Sequence, residues 1–341
     1  MINSTQDSLD ADVIVVGAGP AGLLTALKLA LAGVSTMVLE KHSHPLQAPR
    51  AVVYMPVVHK ELKKLGWLEV FKQRAFTSFN GPCWRRVDGA ELLLIDLAQT
   101  MEHLAATGAP IPPLDPSTLD EQCLYMIGQD ELSSILLSEL KSRCRDTFSI
   151  RFSSPCLGIS SHASFAEFTT SEETKEGGVA HGRGNTWRIV YGEDPNLPDD
   201  EASVTERSKT RIPQWLSPSD ENYTLQRLKP YFAQRRCAKT FRSDRVFLVG
   251  DAAHSNNPVG GLGLTSGILD AIVIGNALYR HLQGEPETVN DQAAESRRST
   301  WLNVTNSTSE NNFRWLYAGP NDENISKDRE ELFAKADSDP A

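Results

Sequence analysis

Three glycines near the start of the chain have the spacing of a diphosphate-binding turn. Gly17, Gly19 and Gly22 form the pattern G-x-G-x-x-G directly after an apolar run, 12–16. In such a pattern the first glycine allows a tight turn, the second lets the backbone approach a pyrophosphate, and the third lets the following helix pack closely against the strand. The N-terminus of that helix offers unpaired N–H groups to the anion. The motif therefore predicts a dinucleotide site.

An acidic residue, Glu40, follows the next apolar run, 35–39, and stands 18 positions after Gly22. A carboxylate at the end of this second strand can accept hydrogen bonds from both ribose hydroxyls, and it would repel a 2′-phosphate. The spacing thus favours FAD or NAD over NADP.

A second glycine-rich segment favours FAD. Gly250 and Asp251 follow an apolar run, 245–249, and Gly263 and Leu264 precede a long helix. The Asp251 carboxylate can accept hydrogen bonds from a polyol chain, and free N–H groups at a helix start can stabilise negative charge on the pyrimidine end of a reduced flavin. An NAD-dependent dehydrogenase remains an alternative, but it leaves this second segment without a purpose.

These motifs need a framework of buried strands and helices. The run 12–16, a helix over 21–32 ended by Gly33, and the run 35–39 predict one βαβ unit. Apolar periodicity predicts further helices over 57–71 (interrupted near 66), 131–145, 265–282 and 291–316, and strands within 149–159, 187–191 and 245–249. By contrast, 171–185 has almost no apolar residues and predicts a solvated loop, and 195–222 is rich in proline and charge with weak periodicity.

The two glycine motifs together resemble the single-component flavin-dependent aromatic hydroxylases with the p-hydroxybenzoate hydroxylase fold. The segment Pro49-Arg50-Ala51 is similar to that family's arginine segment, and Gln129 stands where the family places an Arg or Gln against the cofactor. The resemblance implies bound FAD, with His254 packed near it, and gives no catalytic residue. The cofactor-binding residues it implies are Gly17, Gly19, Gly22, Glu40, Arg50, Gln129, Asp251, Gly263 and Leu264.

By this resemblance the fold is α/β, a Rossmann-type FAD-binding domain into which a reduced, mostly β substrate domain is inserted. The expected FAD-binding domain is discontinuous and comprises 11–82, 123–161 and 238–316. The substrate domain comprises 83–122 and 186–237; 162–185 is a loop or disordered, and 317–341 is an acidic tail.

The resemblance also implies the reaction. The expected enzyme hydroxylates a phenolic or other electron-rich aromatic small molecule with O₂ and with NADH or NADPH as co-substrate, in secondary metabolism or aromatic catabolism. One departure bears on this activity: the family's middle Asp-Gly motif is missing, since the chain's sole Asp-Gly pair, 88–89, stands far upstream and predicts a hairpin turn. A truncated FAD-binding protein without efficient hydroxylase activity is therefore the second alternative.

Composition and charge limit which partners, metals and locations we expect for this protein. The 34 basic and 44 acidic side chains give a net charge of −10, which disfavours nucleic acid as a partner. Five scattered cysteines show neither a disulfide framework nor metal-ligand spacing, so we expect no metal. Glycines and a proline break the apolar segment 13–39, so we expect no membrane span, and without a targeting segment we expect a cytoplasmic protein. A homo-oligomer stays open.

Overall fold

The computed structural model describes residues 10–45, 53–78, 80–85, 91–96, 124–161, 166–170, 197–215, 234–258 and 260–317, together with positions 225, 228, 327 and 331. In this part the chain is a mixed helix-and-sheet protein. It divides into two compact units. The first comprises Met1–Phe79, Pro110–Glu176 and Gln234–Gly319; the second comprises Asn80–Ala109, Gly177–Ala233 and Pro320–Ala341.

A parallel sheet lies in the core of the first unit. Strand β1 (Val13–Val16) pairs in parallel with β2 (Thr36–Leu39), and β2 pairs in parallel with β8 (Phe148–Arg151). Helix α1 (Pro20–Leu31) connects β1 to β2, and Gly33 follows it with a φ of +86°. Helix α1 and the two strands that it connects contribute buried side chains to one hydrophobic cluster, among them Val15, Leu27 and Val38. The predicted βαβ unit is confirmed.

An antiparallel sheet and two short helices pack against the same core. Its strands, in spatial order, are β3 (Val53–Tyr54), β7 (Leu124–Met126) and β4 (Phe76–Ser78). Helices α2 (Pro56–Lys64) and α3 (Leu68–Lys72) are separated at Gly66, whose φ is +71°, as the sequence predicts. A separate hairpin consists of β9 (Cys156–Ser161) and β10 (Ala166–Thr170).

Long helices complete the first unit. They are α4 (Gln129–Arg143), α6 (Leu262–Leu282), α7 (Thr288–Thr300) and α8 (Asn306–Tyr317), with a π-helical turn, Trp301–Thr305, between the last two. Helix α6 packs against both α1 and α7, and α4 packs against α1. Within the described residues α6 alone is long and apolar enough to cross a membrane, and 56% of its apolar window is buried inside the protein.

Two expectations for the C-terminal half are wrong in detail. The predicted buried strand over 245–249 is only β13 (Val246–Phe247), half-buried and antiparallel to β12 (Arg242–Ser243). Helix α6 begins at Leu262 and not at 265, because Gly261 precedes it with a φ of +64° and forms its N-cap. A further two-residue pair joins β11 (Arg236–Cys237) to β14 (His254–Ser255).

The second unit contains an antiparallel pair and a helix. Strands β5 (Asn80–Arg85) and β6 (Glu91–Asp96) pair with each other, whereas the predicted turn at 88–89 lies outside the described residues. Sequence reasoning missed α5 (Glu201–Arg211), which begins where the Asp200 side chain accepts a hydrogen bond from the Ser203 N–H, 3.0 Å away. The predicted loop 171–185 and strand 187–191 also lie outside the described residues.

Two glycines of α6 provide a matched test of how closely this helix approaches the backbone at Gly250. A Cβ on Gly267 would lie 3.2 Å from the backbone Cα of Gly250, which has little room to move, whereas a Cβ on Gly275 would meet only the flexible Lys28 side chain, 3.0 Å away. We expect Gly267→Ala to be less stable than Gly275→Ala by about 1–3 kcal/mol, because overpacking against backbone is costly. Urea unfolding of both variants measures this difference, and equal midpoints would contradict the close approach.

Candidate functional site

The first glycine motif forms the tight turn between β1 and α1. Gly17 has a φ of +103°, and its N–H donates a hydrogen bond to the Leu39 carbonyl over 2.7 Å. A Cβ on Gly22 would lie 2.2 Å from the Gly17 carbonyl oxygen, so no other residue fits there without shifting the turn. Sterics therefore require glycine at both positions.

The start of α1 is open to a ligand. Gly19 is the N-cap with extended backbone, it makes no side-chain capping bond, and the first turn contains no acidic residue. Among the described residues, no atom outside Gly19 and its two chain neighbours lies within 4 Å of the position that a Cβ on Gly19 would take. The N-terminal N–H groups of α1 and the empty space beside Gly19 are the arrangement in which a pyrophosphate binds a helix start.

Glu40 holds the glycine turn as well as following β2. The residue is buried, and its Oε2 accepts a hydrogen bond from the Ala18 N–H at 2.7 Å while its Oε1 accepts one from the His42 N–H at 2.9 Å. A carboxylate has about four lone-pair sites, so about two stay available for ribose hydroxyls. The Glu40 carboxylate therefore stabilises the glycine turn through Ala18, in addition to its expected role of accepting hydrogen bonds from a ribose.

The second glycine motif lies directly against the first. Gly250 begins a 3₁₀ turn, Gly250–Ala252, with a φ of +59°. A Cβ on Gly250 would lie 3.0 Å from the Cβ of Ala21 and 3.8 Å from the Cα of Gly267. Positions 21 and 250, which are 229 residues apart in the chain, are therefore in van der Waals contact.

Asp251 is exposed at this junction. No hydrogen bond or ion pair to its carboxylate occurs within the part of the chain that the structure describes. An unpaired carboxylate beside the dinucleotide turn is available to accept hydrogen bonds from a bound polyol.

The start of α6 lies one helical turn from the same junction. Gly263 and Leu264 are in the first turn of this helix, four and three positions before Gly267. Gly261 supplies no side-chain cap, and across the described residues the first-turn N–H groups have no backbone acceptor outside the helix. A Cβ on Gly263 would lie 3.0 Å from the Asn256 Oδ1, and the Leu264 side chain packs on the core.

Arg50 and Gln129 are the two remaining predicted residues, and the structure shows less about their surroundings. Arg50 lies outside the described residues, but Val53, three positions later, would lie 3.7 Å from a Cβ on Gly261. Gln129 is the half-buried first residue of α4, and its backbone carbonyl accepts a hydrogen bond from the Ser133 hydroxyl at 3.0 Å. No described contact joins Gln129 directly to either glycine motif.

Sequence reasoning missed the buried carboxylate of Asp270. Its Oδ2 accepts hydrogen bonds from the Gly250 N–H at 3.0 Å and from His254 Nε2 at 2.7 Å, and its Oδ1 accepts one from Arg297 Nε at 2.8 Å. Asp270 is completely buried on a helix face shared with Gly267, Ala271 and Ile274. An acid inside an apolar helical stripe is the signal that could have identified it, because such a charge requires buried partners.

A polar contact fixes the loop that leads into α6. The Asn256 side chain donates to the Ser309 hydroxyl at 3.2 Å, and the Asn257 side chain donates to the Ser309 carbonyl at 3.0 Å. Ser309 is buried on α8, immediately after the π-helical turn. The C-terminal helix therefore holds the loop that precedes the first turn of α6.

Other kinds of site find no support in the described residues. They contain no cluster of three or more potential metal ligands. Burial raises the pKa of the Cys144 and Cys237 thiols, which keeps them protonated and weakly nucleophilic. In contrast, four features suit the parts of FAD. The start of α1 at Gly19 suits the pyrophosphate, and the turn organised by Glu40 suits the adenosine ribose. Asp251 suits the polyol chain, and the first turn of α6, which contains Gly263, suits the pyrimidine end of the flavin ring.

Comparison with known protein families agrees with this chemistry. The FAD binding domain family matches residues 10–164 and 122–307, which is most of the chain. The chain belongs to this family. Its relatives include para-nitrophenol 4-monooxygenase from a Pseudomonas species, which is 30% identical over 98% of this chain and 94% of its own length. A 6-hydroxy-3-succinoylpyridine 3-monooxygenase from Pseudomonas putida is 28% identical over 91% of this chain and 90% of its own.

Solved structures of monooxygenases share the fold. The crystal structure of p-nitrophenol 4-monooxygenase from Pseudomonas putida superposes with a TM-score of 0.74 at 27% identity, covering 95% of this chain and 93% of that one. A flavin-dependent monooxygenase solved with FAD and substrate gives a TM-score of 0.65 at 18% identity, covering 91% and 64% respectively, which shows likeness of fold alone. This family member thus has FAD-dependent aromatic monooxygenases as its relatives.

The sequence alignment with para-nitrophenol 4-monooxygenase shows that this chain lacks internal segments of that relative. The alignment with para-nitrophenol 4-monooxygenase runs over 402 positions, whereas this chain has 341 residues. At least 61 positions of that relative (402 − 341) therefore have no counterpart here. Since aligned segments account for 98% of this chain, the missing positions interrupt it internally.

Gly19→Ala separates ligand binding from folding. The new methyl group enters open space, so we expect an unchanged urea unfolding midpoint, but it occupies the approach to the helix start and should weaken FAD binding about tenfold or more, roughly 1.4 kcal/mol. Fluorescence titration of the apoprotein with FAD gives the affinity. Gly22→Ala is the matched control, since its methyl group meets the Gly17 carbonyl and should lower both stability and binding. Unchanged FAD affinity in Gly19→Ala would contradict the site.

Glu40→Gln tests whether this carboxylate organises the turn before any ligand binds. Both oxygens accept backbone N–H groups, so one of them becomes an NH₂ that faces a donor. We expect the apoprotein to lose about 1–3 kcal/mol of unfolding free energy, since a hydrogen bond to a charged group is replaced by a donor–donor contact. Chemical denaturation without FAD measures this loss. A wild-type midpoint would mean that Glu40 has no role in the unliganded turn.

Proposed function

We propose that this protein is an FAD-dependent monooxygenase that hydroxylates a phenolic or other electron-rich aromatic small molecule with O₂ and NADH or NADPH. The observation that carries the proposal is the contact of Gly250 with Ala21, since it brings an exposed Asp251 to the dinucleotide turn. A dinucleotide-binding dehydrogenase would need the turn but not the second motif. The relatives that are aromatic monooxygenases support the same reaction class.

Under this proposal the chain binds the two ends of FAD through different segments. Gly17, Gly19 and Gly22 receive the pyrophosphate at the start of α1, and Glu40 accepts hydrogen bonds from the adenosine ribose. The Asp251 carboxylate accepts hydrogen bonds from the ribityl chain. Further contacts come from residues that the structure places less fully or only through their backbone: Arg50, Gln129, Gly263 and Leu264.

The start of α6 has the electrostatic role. Bound FAD supplies the transfer of reducing equivalents from the nicotinamide and the activation of O₂. The first-turn N–H groups at Gly263 and Leu264 stabilise negative charge on the pyrimidine end of the reduced ring, helped by the positive end of the helix dipole. The 3.0 Å spacing between a Cβ on Gly263 and Asn256 leaves little room for a side chain at this helix start.

The proposal includes an architecture. The discontinuous domain 11–82, 123–161 and 238–316 is of Rossmann type and binds FAD, and 83–122 with 186–237 forms the inserted substrate domain. The parallel order of β1, β2 and β8 supports the Rossmann assignment. A cytoplasmic location, supported by the unpaired Cys144, Cys156 and Cys237, and a homo-oligomeric state belong to the same proposal.

A second candidate function is FAD binding without efficient hydroxylation. It is favoured by the at least 61 internal positions of para-nitrophenol 4-monooxygenase that this chain lacks. The missing Asp-Gly motif agrees with a shortened substrate domain. A site that excludes water less well would release reduced oxygen as hydrogen peroxide and not transfer it to the ring.

A coupled assay distinguishes the two candidates. The purified protein is reconstituted with FAD, and oxidation of NADH and of NADPH is followed over a panel of phenols that includes p-nitrophenol, with product and hydrogen peroxide both quantified. We expect one FAD per chain and a hydroxylated product. If FAD binds but peroxide accounts for the oxidised nicotinamide, the second candidate is correct; if no FAD binds, both are wrong.

A further inference from the structure

The Asp270 carboxylate is the centre of a buried network that the proposed binding roles do not use. It is completely buried, and three N–H donors reach it from two parts of the first unit: Gly250 and His254 from one short segment, and Arg297 from α7. Arg297 is itself 6% exposed and forms an ion pair with it. The network is therefore compensated in charge, with the His254 ring donating through Nε2, because a carboxylate paired with an arginine can only accept.

Two of these donors are the ends of one short segment. Gly250 and His254 flank the sequence Asp251-Ala252-Ala253, and both donate to the same oxygen, Oδ2 of Asp270. A third hydrogen bond, from the Ala253 N–H to the Gly250 carbonyl at 2.8 Å, closes the turn between them. The segment thus forms a clasp around one buried oxygen, with the exposed Asp251 on its outer side.

Two aromatic rings pack against the His254 ring. It stacks on Trp301 with ring centroids 5.5 Å apart and planes inclined by 24°, and it lies 5.8 Å from the ring of Phe241. The other ring nitrogen, Nδ1, is buried and has no hydrogen-bond partner within the described residues. Packing therefore fixes the direction in which Nε2 points, so its hydrogen bond to Asp270 constrains the backbone at 254.

We propose that His254 and Asp270 are positioning residues that hold the Asp251 carboxylate in the orientation that receives the ribityl chain of FAD. This inference rests on the proposed function and adds two residues for which that function gave no role. Neither side chain touches the ligand. They act through the backbone at 250 and 254, the two ends of the clasp.

A network that only stabilises the fold would behave differently. Loss of a purely structural hydrogen bond lowers affinity, if at all, by the same factor whether or not Asp251 is intact. Loss of a positioning bond has no further effect once the Asp251 side chain can no longer bind, because there is nothing left to orient. A double-mutant cycle measures this difference.

His254→Phe is the primary variant. It keeps an aromatic ring in contact with Trp301 and Phe241 and removes the donor to Asp270. Asp270→Asn is less suitable, because it leaves buried Arg297 without a counter-charge and destabilises the fold. His254→Gln is the matched control, since its amide retains an N–H donor.

The test is FAD titration of the apoprotein for wild type, His254→Phe, Asp251→Asn, the double variant and His254→Gln, with ADP as a second ligand. We expect His254→Phe to weaken FAD binding about tenfold in the wild-type background and not at all in the Asp251→Asn background. ADP affinity, which depends on the first glycine motif, should be unchanged, and His254→Gln should recover most of the FAD affinity.

Each contrary result has a definite meaning. Equal losses in the two backgrounds, or a parallel loss of ADP affinity, would overturn the positioning role and leave FAD binding intact. Failure of the wild type to bind FAD would overturn the proposed function and this inference together. Amide hydrogen exchange of the apoprotein gives a readout without ligand: exchange at Gly250 and Asp251 should be faster in His254→Phe than in His254→Gln, and equal rates would contradict the clasp.

Discussion

The structure depends on one close approach between backbones that side chains would prevent. Gly250 lies between Ala21 of α1 and Gly267 of α6, and a Cβ at either glycine would come within 3.0–3.2 Å of its neighbour. Close packing of this kind fixes relative positions, because small displacements already cost contacts on both sides. Through this contact a segment at position 250 lies beside a turn at position 17, and the start of α6 lies one helical turn away, about 5.4 Å along the axis.

Charge at the site follows from the same arrangement. The starts of α1 and α6 are both uncapped by side chains, and neither has an acidic residue in its first turn. Within the described residues, no acidic side chain caps their first-turn N–H groups, so an anionic ligand does not compete with one there. The carboxylates nearby have different states: Glu40 is buried and used by the turn, Asp270 is buried and paired, and Asp251 is exposed and unpaired. Among the described residues, Asp251 is thus the carboxylate of the three with all its accepting capacity free for a polyol, whereas Glu40 keeps part of its capacity for a ribose.

Local patterns predicted the first motif well, since β1, α1 and β2 are determined by residues within 30 positions of each other. Glycine spacing also predicted a turn at Gly250 and the region where α6 begins. The helix begins at Leu262 because the positive φ of Gly261, and not apolar periodicity, sets its start. The apolar run 245–249 predicted a buried strand, but periodicity carries no information on pairing partners, and only β13 forms there. Asp270 and Arg297 were missed because their pairing spans 27 positions and two helices.

The central claim is that the two glycine motifs bind opposite ends of one FAD molecule. The proposed substrate domain, and the internal positions missing relative to para-nitrophenol 4-monooxygenase, concern the aromatic substrate and do not alter that claim. A crystal structure of the FAD complex tests it most directly. The account predicts the adenosine ribose at Glu40, the ribityl chain at Asp251 and the pyrimidine end of the flavin ring at the first turn of α6. A flavin ring bound away from α6, with Asp251 still facing solvent, would contradict it.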